Sequence, residues 1–182
     1  MVYVLLANGF EEIEALTPVD MLRRAGSSVK TVSLEEGLAV HGAHGIDVLA
    51  DVMPADAHEK IELLLLPGGM PGTLNLDASV VTDAMLRRAA EDGGHIAAIC
   101  AAPLVLGRRG LLNGKRAVCY PGFERELLGA TITDAPFVTD GRITTAKGMG
   151  AATLFSAELV RLLHGKDVAN DMLQGICSPQ TL

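Results

Sequence analysis

The chain has few of the residues that mark several functional classes. Its 182 residues include no tryptophan, two tyrosines and four phenylalanines, and 15 basic side chains stand against 22 acidic ones. Proteins that bind nucleic acid need a clustered basic surface to neutralise phosphates. The net charge of −7 therefore argues against nucleic acid as a partner.

Long hydrophobic runs are also absent, because no stretch approaches the ~20 apolar residues of a membrane-spanning helix. The apolar residues 1–6 reach Asn8 and Gly9 too soon to form the core of a signal peptide. The three cysteines lack C-x-x-C spacing and are odd in number, which favours neither a disulfide framework nor a zinc site. We expect a cytoplasmic protein with reduced thiols, no metal and no membrane association.

Apolar runs typical of strands alternate with segments of helical period, and 49% of the residues are hydrophobic. The predicted strands are 2–7, 29–33, 63–66, 96–99 and 117–119. The predicted helices are 12–25, 78–91, 101–109, 123–128, 151–163 and 168–174. This alternation predicts an α/β fold with a doubly wound, mostly parallel sheet sandwiched by helices. With no linker-like segment, residues 1–182 are expected to form a single domain.

Three details qualify that pattern. Pro18 should kink the first helix or leave it irregular, because proline removes a backbone donor and clashes with the preceding turn. Residues 37–52 and residues 132–146, the latter with a turn at Asp140 and Gly141, are predicted to be hairpin additions.

Cys100 is the most informative residue, because it follows an apolar strand and precedes an alanine-rich helix. That position is the carboxyl edge of a parallel sheet, where open α/β folds bind ligands. Unpaired N–H groups and the helix dipole favour a thiolate there, and should bring the thiol pKa from about 8.5 to roughly 3.5–7.5. The alternative is an inert, buried cysteine that serves as a small hydrophobic residue.

Other loops follow predicted strands at the same edge. Glu14 lies near the start of the first helix, where a buried carboxyl beside a thiolate would have a raised pKa and could exchange a proton with the sulfur. Gly68 and Gly69 could let backbone N–H groups form an oxyanion hole with that of Ala101, although a Gly-Gly pair also suits an ordinary turn. The loop that contains Gly148 could form a wall of the pocket.

These motifs resemble the DJ-1/ThiJ/PfpI superfamily, and most closely its small DJ-1-like branch. The resemblance covers essentially the whole chain and is carried by GFEEIEA at 9–15, PVD at 18–20, LPGG at 66–69, AAICAAP at 97–103 and GMG at 148–150. It implies a flavodoxin-like fold, a homodimer and a nucleophile elbow in which Cys100 has strained backbone geometry. It also implies that Glu14 is the family's protonated glutamate.

The chain departs from the family pattern at two positions. Tyr120 occupies the place where many relatives have a histidine, so the usual Cys-His pair is missing. As a residue of the pocket it could orient a substrate through its hydroxyl group, but an ordinary tyrosine is a poor general base at neutral pH. His44 takes the place of an arginine that reaches the partner subunit's site in close relatives. His44 could act in trans in the same way, or it could be an ordinary exposed loop histidine.

The resemblance implies a cofactor-independent enzyme that acts on small reactive aldehydes, as a glyoxalase that converts methylglyoxal to lactate or as a deglycase that removes glyoxal adducts. Cys100 would be the nucleophile and Glu14 the proton carrier. The alternative is an oxidative-stress sensor or protective protein in which Cys100 is oxidised to a sulfinic acid. A protease-like hydrolase is disfavoured because that branch depends on the missing histidine.

Overall fold

The computed structural model describes residues 1–179, and the last three residues of the predicted domain lie outside the described residues. Its strands are β1 (Val2–Leu6), β2 (Val29–Ser33), β3 (Ala39–His41), β4 (Asp47–Leu49), β5 (Leu63–Leu66), β6 (His95–Ile99), β7 (Arg116–Ala117), β8 (Thr131–Ile132), β9 (Phe137–Asp140) and β10 (Ile143–Ala146). Its helices are α1 (Glu12–Arg24), α2 (Gly72–Ala78), α3 (Val80–Glu91), α4 (Pro103–Arg108), α5 (Ala152–His164) and α6 (Lys166–Gly175).

Six strands form the central sheet in the order β2-β1-β5-β6-β10-β9. All neighbouring pairs are parallel except β9 and β10 at one edge. The four leucines of β5 are all buried, as expected for a strand covered on both faces. The predicted α/β class with a mostly parallel sheet is confirmed.

The two faces of the sheet carry separate hydrophobic cores. Leu64 and Leu66 face one core with α2, α3 and α4, whereas Leu63 and Leu65 face the other with α1 and α5. This division follows from strand geometry, since successive side chains point to opposite faces. The fold is therefore a three-layer sandwich.

Two of the predicted β segments differ from the structure. The strand predicted at 117–119 is the short β7, which pairs with β8 outside the central sheet, while the Val118 N–H donates to the Thr145 side chain at 2.9 Å. The hairpin predicted at 132–146 contains β9 and β10 with the expected turn, but β10 pairs with β6 and so belongs to the main sheet. The hairpin predicted at 37–52 is confirmed as β3 and β4.

The helices differ mainly in length and type. Residues 123–128 contain only a 3₁₀ turn at Glu124–Glu126, α4 begins at Pro103 instead of residue 101, and α2 was not predicted. Helix α1 runs unbroken through Pro18. Among residues 1–179, no helix is long and apolar enough to cross a membrane.

Helix α4, which follows Cys100, approaches the 3₁₀ turn so closely that only glycine fits at position 107. An added Cβ at Gly107 would contact the Glu126 carbonyl oxygen and would lie 2.7 Å from Leu127 Cα. Backbone atoms cannot move aside as a flexible side chain can. The contact therefore fixes the helix directly after the cysteine.

We predict that Gly107→Ala lowers the free energy of unfolding by about 1–3 kcal/mol, because overpacking forces backbone shifts. Gly175→Ala is the matched control, since no atom lies within 4 Å of an added Cβ at that helical position. The control should be neutral or stabilising by about 0.4–1 kcal/mol. Urea denaturation of both variants measures the difference, and equal effects would contradict this account of the packing.

Candidate active site

Cys100 lies at a sharp turn between β6 and α4. Its φ of 65° is in the left-handed region, which costs a residue other than glycine of order 1–3 kcal/mol. Two backbone hydrogen bonds hold it there: the Cys100 N–H donates to the Ala146 carbonyl at 2.9 Å, and the Tyr120 N–H donates to the Cys100 carbonyl at 2.8 Å. The neighbouring elements thus impose this conformation and present the half-buried thiol at the carboxyl edge of the sheet.

Backbone donors surround the sulfur. The N–H groups of Gly69 and Ala101 both hydrogen-bond the Cys100 thiol. They come from different elements, the loop after β5 and the first residue after the cysteine. The predicted convergence of Gly69 and Ala101 on Cys100 is present in the structure, as a pair of donors able to stabilise negative charge.

Glu14 is the acidic partner of this thiol. The residue is only 1% exposed, and its carboxyl group is hydrogen-bonded to Cys100 and accepts from the N–H groups of Gly68, at 3.1 Å, and Met149. Burial, together with the charge of Glu11, raises the Glu14 pKa to about 7, although the hydrogen bonds to the carboxyl group lower it. The raised pKa expected for Glu14 is therefore found.

The lowered pKa expected for Cys100 is not found. Burial, together with the charge and hydrogen bond of Glu14, raises the Cys100 pKa to about 12 and outweighs the N–H groups of Gly69 and Ala101. The prediction took account of the helix N-terminus next to Cys100 but not of burial or of the Glu14 carboxylate beside the thiol. Above pH 7 the two side chains consequently share one proton and one negative charge, and below pH 7 the Glu14 carboxyl is protonated as well.

The loops around this pair interlock tightly. The Glu11 N–H donates to the Gly68 carbonyl at 2.9 Å, and the Gly72 N–H donates to the Gly9 carbonyl at 3.1 Å. Gly69 has a φ of 92°, and a Cβ added to Gly68 would lie 2.5 Å from Cys100 Cβ and would also contact the Glu14 carboxyl. Glycine is therefore required here for backbone shape and for close approach.

A groove of about 530 Å³ opens beside the pair. The ring of Tyr120, which is half exposed, lies against Gly148, and Gly148 in turn adjoins the Glu14 carboxyl. Gly148 therefore belongs both to the wall of the groove and to the surroundings of the buried acid. Tyr120 and Gly148 were both predicted to line the pocket, and the structure places both at its wall.

His44 lies apart from the thiol in the turn between β3 and β4. Its Nδ1 is 2.7 Å from Glu12 Oε2, and its backbone N–H donates to Glu12 Oε1 at 2.7 Å. The hydrogen bond and charge of Glu12 raise the pKa of the exposed His44 ring. Burial raises the Glu12 pKa, but the bonds from His44 outweigh it, so this pKa is lowered. A role for His44 in a partner's site stays a prediction.

Glu11, Glu12 and His44 also bring their ligand atoms within 4.8 Å of one another, a spacing that could hold a cation. Each already has a partner within the chain, since Glu11 accepts the Glu14 N–H at 2.7 Å and Glu12 accepts from His44. We assign no metal to this group.

Two contributors to the site were missed by the sequence reasoning. The Met149 N–H holds the Glu14 carboxyl, and Glu11 caps α1 while its charge acts on Glu14. Backbone donors leave no side-chain signature, so Met149 could not be found from residue type. Glu11 could have been found, because an acidic residue just before a helix is a capping signal.

A strained cysteine between a strand and a helix, hydrogen-bonded to a buried glutamic acid, defines a reactive-cysteine class of α/β protein. The chain belongs to the DJ-1/PfpI family, whose model matches residues 1–162. Protein dj-1beta of Drosophila melanogaster is 35% identical over 176 residues, which cover 95% of this chain and 94% of that protein. The chain spans less than half the length of two Arabidopsis thaliana relatives. It covers 45% of DJ-1 homolog A and 39% of DJ-1 homolog B.

Solved structures agree with this assignment. Oxidised DJ-1 of Toxoplasma gondii superposes with a TM-score of 0.94 at 34% identity, covering 98% of each chain. A mutant DJ-1 superfamily protein of Salmonella typhimurium superposes with a TM-score of 0.93 at 35% identity, also covering 98% of each chain. The family predicted from the motifs is confirmed.

We predict that stability depends on pH through Glu14. Because the folded-state pKa of about 7 is above the ordinary value of 4.5, the protonated form favours folding. The free energy of unfolding should then fall by roughly 3 kcal/mol as pH rises from about 4.5 to about 7.

Glu14→Gln should remove that fall, whereas Glu91→Gln, at the exposed end of α3, should keep it. Denaturant unfolding at several pH values measures the slope. A wild-type slope in Glu14→Gln would show that Glu14 does not hold a proton in the folded state.

Proposed function

We propose that the chain is a cofactor-independent, cysteine-dependent enzyme that acts on small 2-oxoaldehydes, converting methylglyoxal to lactate. The observation that carries this proposal is the hydrogen bond between Glu14 and Cys100, which sets a carboxyl group with a pKa of about 7 beside the thiol. A nucleophile is activated by an adjacent base, and Glu14 fills the role that histidine fills in Cys-His enzymes.

The first step is attack of sulfur on the aldehyde carbon. Ionised Glu14 takes the thiol proton as the carbon–sulfur bond forms, and the aldehyde oxygen gains the negative charge. The N–H groups of Gly69 and Ala101, which point at the sulfur, are placed to donate to that oxygen. Glu14 then passes its proton to the oxygen, which gives a neutral hemithioacetal and restores the carboxylate.

The second step moves hydrogen between two carbons. Glu14 removes the proton from the former aldehyde carbon, and the electron pair shifts through an enediol to the neighbouring ketone. Return of that proton to the second carbon, together with transfer of the hydroxyl proton from the first oxygen to the second, gives a thioester of the 2-hydroxy acid. The first carbon is oxidised and the second is reduced by the same two electrons, so no external oxidant or reductant is needed.

Hydrolysis completes the cycle. Water attacks the thioester, the carbon–sulfur bond breaks, and the products are the 2-hydroxy acid and the free thiol. The overall balance is one 2-oxoaldehyde and one water in, and one 2-hydroxy acid out. A carboxyl with a pKa of about 7 can both accept and donate a proton near neutral pH, as this sequence requires.

The relatives support chemistry of this kind. A protein of Pyrococcus horikoshii named a deglycase is 31% identical over 166 residues, covering 89% of this chain and 98% of that protein. Removal of aldehyde adducts is the related reaction for which we propose the same two residues, Cys100 as nucleophile and Glu14 as proton carrier.

We predict that Cys100→Ser abolishes lactate formation from methylglyoxal and that Glu14→Gln lowers kcat/KM by about 10²–10⁴-fold, the usual contribution of a general base. Cys177→Ser is the matched control, because that thiol is exposed and remote in sequence from the site. For the wild type, kcat/KM should rise with pH around a midpoint near 7 and level off about one unit above it, because Glu14 must be ionised to accept the thiol proton.

Chiral analysis of lactate measures all three variants under reducing conditions. Equal turnover by Cys100→Ser and the wild type would reject the proposal. Turnover that needs Cys100 but is insensitive to Glu14→Gln would reject the assignment of Glu14.

Oxidation of Cys100 is a second candidate function, favoured by the donors around the sulfur. Gly69 and Ala101 donate N–H groups to it, and protonated Glu14 could donate a third hydrogen bond to a sulfinate. Two peroxide molecules convert one thiolate to one sulfinate and two waters. We therefore also propose a protective or sensing role in oxidative stress.

We predict that dilute hydrogen peroxide adds two oxygen atoms to Cys100 before Cys119, because the Cys119 thiol is buried whereas that of Cys100 is half-buried and accessible to peroxide. Intact and peptide mass spectrometry locates the oxidation. Glu14→Gln should change the yield of sulfinate at Cys100 without changing Cys177. Equal oxidation of Cys100 and Cys119 would contradict a specific sensor.

We further propose that the enzyme is a cytoplasmic homodimer. Three large apolar side chains, Ile13, Ile46 and Leu49, are 48%, 55% and 76% exposed on α1 and on the neighbouring hairpin, and a second copy could cover them. A monomer by light scattering at micromolar concentration would remove the basis for a trans role of His44.

A further inference from the structure

The groove beside the catalytic pair is larger than methylglyoxal needs. Its volume is about 530 Å³, whereas five heavy atoms at the volume of a liquid water each occupy roughly 150 Å³. Most of its lining is apolar and includes Tyr120, Pro136 and Met149. The spare volume indicates a substrate with a longer body than a methyl group.

Charge in the groove comes from one ion pair. Lys147 and Asp134 are the two charged residues of its lining, and Lys147 Nζ lies 2.5 Å from Asp134 Oδ1. The Asp134 side chain is 91% exposed and that of Lys147 is 42% exposed. Exposed pairs of this kind contribute little to stability, because water screens the two charges. A ligand carboxylate can therefore replace Asp134 at the ammonium group at little cost.

Lys147 is anchored next to the reacting centre. The preceding residue, Ala146, accepts the Cys100 N–H at 2.9 Å, and the following residue, Gly148, adjoins both Tyr120 and Glu14. The Lys147 N–H itself donates to the Pro136 carbonyl at 2.9 Å, which ties it to the groove wall. The two residues that flank Lys147 in the chain thus both adjoin the catalytic pair.

The geometry points to 2-oxoaldehydes that carry a carboxylate on a short chain as the preferred substrate class, with Lys147 as the residue that binds the carboxylate. This inference rests on the proposed function and adds specificity to it. The aldehyde end meets Cys100 while the chain lies along Tyr120 and Met149. The reaction is the same conversion to a 2-hydroxy acid, so its atoms and electrons balance as before.

The test compares two five-carbon aldehydes that differ in charge, 4,5-dioxopentanoate and 2-oxopentanal. We expect kcat/KM to be about tenfold higher for the acid in the wild type and to approach equality in Lys147→Met. Asp134→Asn should raise the acid-to-neutral ratio, because it removes the competing carboxylate. Lys60→Met, an exposed lysine outside the groove, is the control and should keep the wild-type ratio.

A binding measurement separates this inference from the proposed activity. The ketone 4-oxopentanoate has the same carboxylate but no aldehyde, and it should slow alkylation of Cys100 by iodoacetamide in the wild type more than in Lys147→Met. The neutral 2-pentanone should not protect. Equal protection of the wild type by 4-oxopentanoate and 2-pentanone would overturn the inference, whether or not methylglyoxal is turned over. Equal protection of the wild type and Lys147→Met by 4-oxopentanoate would overturn it as well. Protection without any turnover would instead reject the proposed function alone.

Discussion

The hydrogen bond between Glu14 and Cys100 is the interaction on which the site depends. Burial raises the pKa of both groups, and the charge of Glu14 raises that of Cys100 further, whereas the hydrogen bond from Cys100 lowers that of Glu14. Above pH 7 the pair therefore keeps one proton and one negative charge between the two side chains. Burial of this charge is tolerated because N–H groups from three separate loops donate to the two side chains.

Glycine makes that arrangement possible. At Gly68 a side chain would collide with both members of the pair, and at Gly69 the backbone adopts a conformation that other residues avoid. The left-handed turn at Cys100 is the exception, a non-glycine residue held in that region by bonds from Ala146 and Tyr120. The strain is thus located at the reacting residue, and the surrounding sheet and loops supply the energy that maintains it.

The missing histidine has a physical consequence. Without an imidazole at position 120, the proposed mechanism assigns proton transfer to Glu14, whose carboxyl group has a pKa of about 7. Tyr120 instead gives the groove an aromatic wall, and Lys147 gives it a positive charge. We interpret the site as one in which a single carboxylate performs the chemistry while the groove selects the substrate.

The sequence by itself determined the alternation of strands and helices, the family, and the identity of the two central residues, because apolar periodicity and loop motifs are local properties. It did not determine that β10 joins the main sheet while β7 does not, since both are short and similarly apolar. The predicted direction of the Cys100 pKa shift was wrong for a related reason. The helix start is visible in the sequence, but desolvation and the distance to Glu14 depend on packing between segments far apart in the chain, which only the tertiary structure decides.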